Sequence, residues 1–294
     1  MRKLVIPSLV LVAAAGLAVA ATALGARSTA AAPAALPGCA PGSLNLIDDG
    51  VLTVGTDNPA FPPWYGGAEK TKPWKVSDPY SGKGYESAVA YAVARQLGFA
   101  KSAVKWTVVP FSNSFRPGNK PFDFDINQIS YNPARAKAVD FSKSYYFVNQ
   151  AVVGRKGKPI TKVRSIAGLK PFKLAAQVGT TSYSYIVDNI KPSSSPLVYD
   201  TNDAAVQALK NGQIDGIVVD LPTAFYVTAV QVPDGVIVGK LPTKGTKERF
   251  GMVFQKGNSL RGCVNKALDR LWRNGAIKKL QSVYLARAGA PDLK

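Results

Sequence analysis

Two patterns of apolar positions follow one another along this chain. From Leu4 to about Leu24 apolar and small residues run behind Arg2 and Lys3, and an Ala/Pro-rich stretch continues to Pro41. A basic start, an apolar run and small residues are the layout of an export signal followed by an unstructured tether. A transmembrane anchor is the competing use, since the run is about long enough to span a bilayer. Beyond Pro41 strand-like and helix-like segments alternate. Val51 to Asp57 is a β-branched run ending at a polar turn, Tyr85 to Leu97 has helical spacing and stops at Gly98, and Lys105 to Pro110 is β-like again. Phe124 to Ser130 and Phe147 to Lys156 complete a first group of strands. A second group covers Lys173 to Val178, Leu197 to Tyr199, Gly216 to Asp220 and Val236 to Leu241, with helices over Thr181 to Asn189 and Asn202 to Asn211. Such alternation predicts an α/β fold with helices packed on mainly parallel sheet, and about 250 residues suit two lobes better than one core.

The chain reads as extended near Phe147 to Gln150 and again near Arg249 to Phe254. Two extended crossings make a hinge, and a cleft between hinged lobes is where ligands prefer to sit.

Composition narrows the chemistry. There is no histidine, so a histidine-dependent catalytic triad is excluded, and with two cysteines a metal cluster of the usual spacing is not expected. In an exported chain the pair Cys39 and Cys263 suggests a disulfide, worth at most about 4 to 5 kcal/mol for so large a loop. The competing use is a lipid on Cys39, after Leu36, Pro37 and Gly38, with Cys263 simply buried. The net charge is +19, but Lys and Arg are scattered through every segment, so nucleic acid is not an expected partner.

The stretch with most chemical content is Asp125 to Ala138, DINQISYNPARAKA, followed at once by Val139, Asp140, Phe141 and Ser142. A β-like run delivers Ser130 to a strand end, Asn132 and Pro133 begin a turn, and Arg135 follows at a helix start. A guanidinium held there is placed to bind a carboxylate through two parallel charge-assisted bonds. The stretch resembles the family 3 solute-binding proteins of amino-acid importers, which carry (A/S)-G-x-(S/T)-x-(S/T)-P-x-R-x-K followed by V-D-F-S. Gly55-Thr56-Asp57, with Phe61-Pro62-Pro63-Trp64, resembles the family's G-T-D-x-x-(Y/F)-P-P-(F/W) with one extra residue. Gly84-Tyr85-Glu86, the turn Gln177 to Thr181, and Asp215 to Pro222 also resemble family segments. Gln128 departs from the pattern, because the family usually has glycine there.

The resemblance implies a two-lobed periplasmic-binding-protein type II fold. Lobe 1 would be discontinuous, residues 42–148 and 249–294, lobe 2 would be 149–248, and 1–41 would be signal and tether. It implies that Arg135 and the Gly179 to Thr181 turn hold an α-carboxylate, and that Asp220 and Ser130 hold an α-ammonium. Asp57, Phe61, Phe111, Gln128 and Gln177 would read the side chain, with Thr180 and Thr181 at the helix start. Each has a structural alternative: Asp57 a turn cap, Phe111 a core residue, Asp220 a cap for the helix at Pro222, Glu86 a carboxylate favoured by a helix N-terminus. The expected function is capture of a free polar amino acid for the membrane permease of an ABC importer, without a cofactor. A neutral amide such as glutamine or asparagine is placed slightly ahead of a basic ligand, and an acidic one last. The enzymatic alternative is an exported dehydratase of the cyclohexadienyl type. It is disfavoured here because the three glutamates, Glu69, Glu86 and Glu248, are not expected beside the lobe 2 contacts.

Overall fold

The computed structural model describes residues 34–285 and 289–294, and the expected export run from Leu4 to Leu24 lies outside the described residues. The strands in chain order are β1 (Leu52–Thr56), β2 (Val104–Val108), β3 (Phe124–Asp125), β4 (Val139–Phe147), β5 (Gln150–Arg155), β6 (Leu174–Gln177), β7 (Leu197–Tyr199), β8 (Gly216–Asp220), β9 (Gly235–Lys240) and β10 (Arg249–Gln255). They form two five-stranded sheets, ordered β2-β1-β3-β10-β4 and β7-β6-β8-β5-β9. β1 is parallel to β2 and β3, and β6 is parallel to β7 and β8. β10 and β5 run antiparallel to their neighbours, so both sheets are mixed.

The helices are α1 (Tyr85–Gln96), α2 (Phe111–Ser114), α3 (Arg135–Ala138), α4 (Thr181–Tyr185), α5 (Asn202–Lys210), α6 (Leu221–Tyr226), α7 (Leu260–Arg273) and α8 (Ala276–Tyr284). Strand burial follows position. β5 is flanked on both edges, and its Ala151, Val152 and Val153 are fully buried, whereas edge strand β2 turns Val104 and Trp106 inward and Lys105 outward. Val153, Ile217 and Val219 pack on one face of the second sheet, and Val152 and Val218 on the other. α1 buries Val89, Ala90, Val93 and Ala94 as one stripe. Its start requires glycine: Gly84 has φ 88°, and a Cβ there would lie 2.4 Å from the Tyr65 backbone.

Four expectations need correction. The strand expected to reach Ser130 ends at Asp125, because the left-handed backbone of Gln128 (φ 49°) turns the chain out of the sheet; Ser130 keeps only an isolated bridge to Phe250. The return crossing is residues 241–248, since Arg249 to Phe254 already belongs to β10. The crossings lie side by side, with Val148 N donating to Glu248 O (3.1 Å) and Leu241 N to Gln150 O (2.8 Å). The tether does not extend to 41. Leu36 N donates to Gln96 O at the end of α1 (2.9 Å), and Cys39 is fully buried in a disulfide with Cys263 of α7, Cα atoms 5.6 Å apart. Finally, lobe 1 does not own the chain to 294. Lys240 N donates to Pro291 O, Leu293 N donates to Lys240 O (2.9 Å), and buried Leu293 packs in the second sheet's core, because the edge of β9 is otherwise open on that side.

Candidate functional site

The ends of β1, β6 and β8 and the starts of α3 to α6 converge between the sheets and enclose a cavity of about 150 Å³. One side supplies Asp57, Phe61, Phe111, Gln128, Ser130 and Arg135, the other Gln177, Thr180, Thr181 and Asp220. All ten residues singled out in the sequence thus border one cavity.

Arg135 opens α3 and reaches both sides. Its Nη1 donates to Ser130 O and its Nη2 to Gly179 O, each at 2.7 Å, and the guanidinium lies 4.2 Å from the Phe115 ring centroid. Burial lowers its pKa to about 10, opposed by the nearby carboxylates of Glu248 and Asp220. Three of its five N–H donors have other directions open to them. Asp57 ends β1. Its Oδ1 accepts from Asn58 N (2.8 Å) and its Oδ2 from Phe111 N (3.3 Å), so it braces two turns while bordering the cavity, and burial raises its pKa. Phe61 meets Tyr226 across the cleft at 5.9 Å between centroids. Trp64, by contrast, is buried in the first core and donates Nε1 to Thr223 Oγ1 (3.0 Å).

Three side chains are engaged differently from expectation. Gln128 borders the cavity, but its amide Nε2 and its backbone N (2.7 Å) both donate to Glu86. Its positive φ accounts for the family's glycine there. Glu86 does lie in the first turn of α1, but it does more than favour the helix N-terminus. It is fully buried, accepts from Tyr145 as well as from Gln128, and burial pushes its pKa up to about 7. Thr180 caps α4, its Oγ1 accepting from Tyr183 N (3.2 Å) and donating to Gln177 O (2.7 Å).

The position of Glu248 contradicts the expectation that no glutamate lies beside the lobe 2 contacts. It stands on the return crossing, and its Oε1 accepts from Thr181 Oγ1 (2.6 Å) and from Ser130 Oγ. Its Oε2 accepts from Gln150 Nε2 (3.0 Å), which also donates to Asp220 Oδ1 (2.7 Å). Burial and the neighbouring Glu248 charge raise the Asp220 pKa well above its ordinary value.

Sequence reasoning also missed Asp203 and Asn127. Asp203 borders the cavity from the first turn of α5, and burial raises its pKa. It follows β7, so a search of helix starts after parallel strands finds it. Asn127 is 6% exposed, borders the cavity, and its Nδ2 has no partner. Nothing in the sequence around it signals that role. Asp57, Asp203 and Asp220 thus face a cavity whose wall carries one cation, Arg135, and among the described residues none of the three is in a salt bridge.

A two-lobed α/β fold with a polar, charged cleft at its hinge is built to close on a small solute. The chain belongs to the bacterial extracellular solute-binding proteins, family 3, whose profile matches residues 52–287. It is 26% identical over 204 residues to the L-cystine-binding protein of Escherichia coli strain K12, covering 68% of this chain and 73% of that one. It is 26% identical over 225 residues to the ABC transporter glutamine-binding protein of Bacillus subtilis strain 168, covering 75% and 80%. Among solved structures, an ancestral arginine-binding protein bound to glutamine superposes with a TM-score of 0.65 at 29% identity, covering 81% of this chain and 99% of that one. No helix among the described residues is long and apolar enough to cross a membrane.

Proposed function

We propose that this chain captures a free amino acid between its lobes outside the cell membrane and delivers it to the permease of an ABC importer. The observation that carries this reading is the pair of opposite charges in the cleft: one guanidinium, Arg135, reaches both sides, and Asp220 borders the same cavity, with Glu248 joined to it through Gln150. A zwitterion matches that pair, with its carboxylate on Arg135 and the backbone N–H groups of the Gly179 to Thr181 turn, and its ammonium toward Asp220, Ser130 and the Thr181 hydroxyl oxygen. An unpaired charge in a closed cleft is costly, so each charge must find its counterpart.

Asp203 changes the order of side-chain preference. With Asp57 it brings a second carboxylate to the remaining wall, beside the Phe61 and Tyr226 rings. Carboxylates and aromatic faces together favour a cation, so a basic amino acid moves ahead of a neutral amide, and an acidic one stays last. The named relatives include glutamine and arginine binders, in keeping with these two classes. The engagement of Glu248 by three hydrogen-bond donors supports a binding reading over a catalytic one. Thermal-shift measurement against the twenty L-amino acids, with product analysis of each mixture, tests the reading. A basic or amide amino acid should raise the melting temperature and be recovered unchanged. Conversion of the ligand, or a response confined to glutamate and aspartate, would overturn it.

A further inference from the structure

The protons at the Asp220 end of the cavity can be assigned one by one. Thr181 Oγ1 (2.6 Å) and Ser130 Oγ both point at Glu248 Oε1. A carboxylate offers lone pairs only and a hydroxyl has a single proton, so both hydroxyls donate to Glu248. The 3.5 Å separation between Thr181 Oγ1 and Ser130 Oγ is too long to compete for either proton. Gln150, itself buried, sends its two amide protons to Glu248 Oε2 (3.0 Å) and Asp220 Oδ1 (2.7 Å). Its Oε1 must then accept from Ser182 Oγ (2.6 Å), which fixes that hydroxyl as well. Ser130, Thr181 and Ser182 border the cavity, and with their hydroxyl protons committed to Glu248 and Gln150 their side-chain oxygens offer only lone pairs to it.

Glu248 is not on the cavity wall, so it acts through the groups it holds. We propose that Glu248 is a positioning residue that fixes the direction of these hydroxyls and thereby restricts this end of the cleft to a protonated primary amine. Three N–H donors on one nitrogen match these three oriented hydroxyl oxygens, whereas a hydroxyl in the same place brings one donor and turns its own lone pairs against theirs. This rests on the amino-acid reading above and adds the residue that enforces it. Glu248 also joins Ser130 of lobe 1 to Thr181 and Gln150 of lobe 2 from the return crossing, so the wall is assembled only when both lobes are in place.

The test compares L-arginine and L-glutamine with the 2-hydroxy acids of identical side chain, titrated calorimetrically into the full chain and into Glu248→Gln. The substitution keeps size but introduces an N–H donor, which forces at least one hydroxyl to aim its proton into the cavity. The wild-type chain should prefer the amino acid. In Glu248→Gln that preference should fall at least about tenfold, the equivalent of one lost charge-assisted bond, with the hydroxy acid unchanged or tightened. Thr181→Val removes one oriented acceptor and should lower the preference in the same direction if Glu248→Gln does not fold. Equal losses for amino and hydroxy acid in both variants would reduce Glu248 to general support and overturn the proposal. Failure of every amino acid to bind the wild-type chain would overturn the amino-acid reading itself, and this inference with it.

Discussion

Arg135 is the residue on which the cleft turns. Its two hydrogen bonds reach one carbonyl on each lobe, and its ring contacts leave it little room to reorient. Arg135→Ala should weaken amino-acid binding about a hundredfold, roughly 3 kcal/mol, because the ligand carboxylate would remain in the cleft without its counterion. Calorimetry would show this, and unchanged affinity would remove Arg135 from the site. Glu86 gives a second expectation at this scale. Its pKa rises from an ordinary 4.5 to about 7 through burial, so the folded chain keeps a proton that the unfolded chain releases earlier. That contribution to stability is fully present below about pH 4.5 and is lost as pH rises through 7. Urea unfolding followed across this window should show the decline in the wild-type chain and a flatter profile in Glu86→Gln; identical slopes would refute the assignment. Residues such as Arg135, Asp57 and Asp220 were legible because strand ends, turns and family motifs mark them. Glu248 and Gln150 were not, because their partners are 118, 67 and 70 positions away in the chain, and no local pattern announces such meetings.

At the scale of elements, the disulfide between Cys39 and Cys263 ties the start of the described chain to α7, next to Leu36 and the end of α1. Reduction should lower stability by about 2 to 5 kcal/mol, read as a lower melting temperature, and leave affinity nearly unchanged because the bridge lies away from the cavity lining. An unaltered melting temperature after verified reduction would contradict this. The helices and most strands follow their apolar periods, which is why α1, α5 and the second group of strands were legible. The strand toward Ser130 was not. Its apolar spacing continues past Asp125, but the backbone turn at Gln128 is a property of φ, and hydropathy does not carry it. The last residues were misplaced for a related reason: nothing local shows that Leu293 fills a gap beside β9.

For the whole molecule, alternating segments, the length of the chain and the family resemblance implied two lobes, although one of the two expected crossings proved to be β10, while the chemistry of the cleft depended on bringing distant segments together. Lobe contacts that bypass a ligand, such as Trp64 to Thr223 and Phe61 to Tyr226, set a baseline attraction between the two sides. Ligand contacts made by both sides at once must then supply the additional preference for closure. The most direct measurement is a calorimetric titration of the wild-type chain with L-arginine and L-glutamine, each also supplied N-acetylated and carboxyl-amidated. The account predicts one saturable site for at least one free amino acid, and loss of binding when either end is blocked, because Arg135 and the Asp220 wall each require a charge. Binding that survives both modifications, or no saturable site for either free amino acid, would contradict zwitterion capture in this cleft.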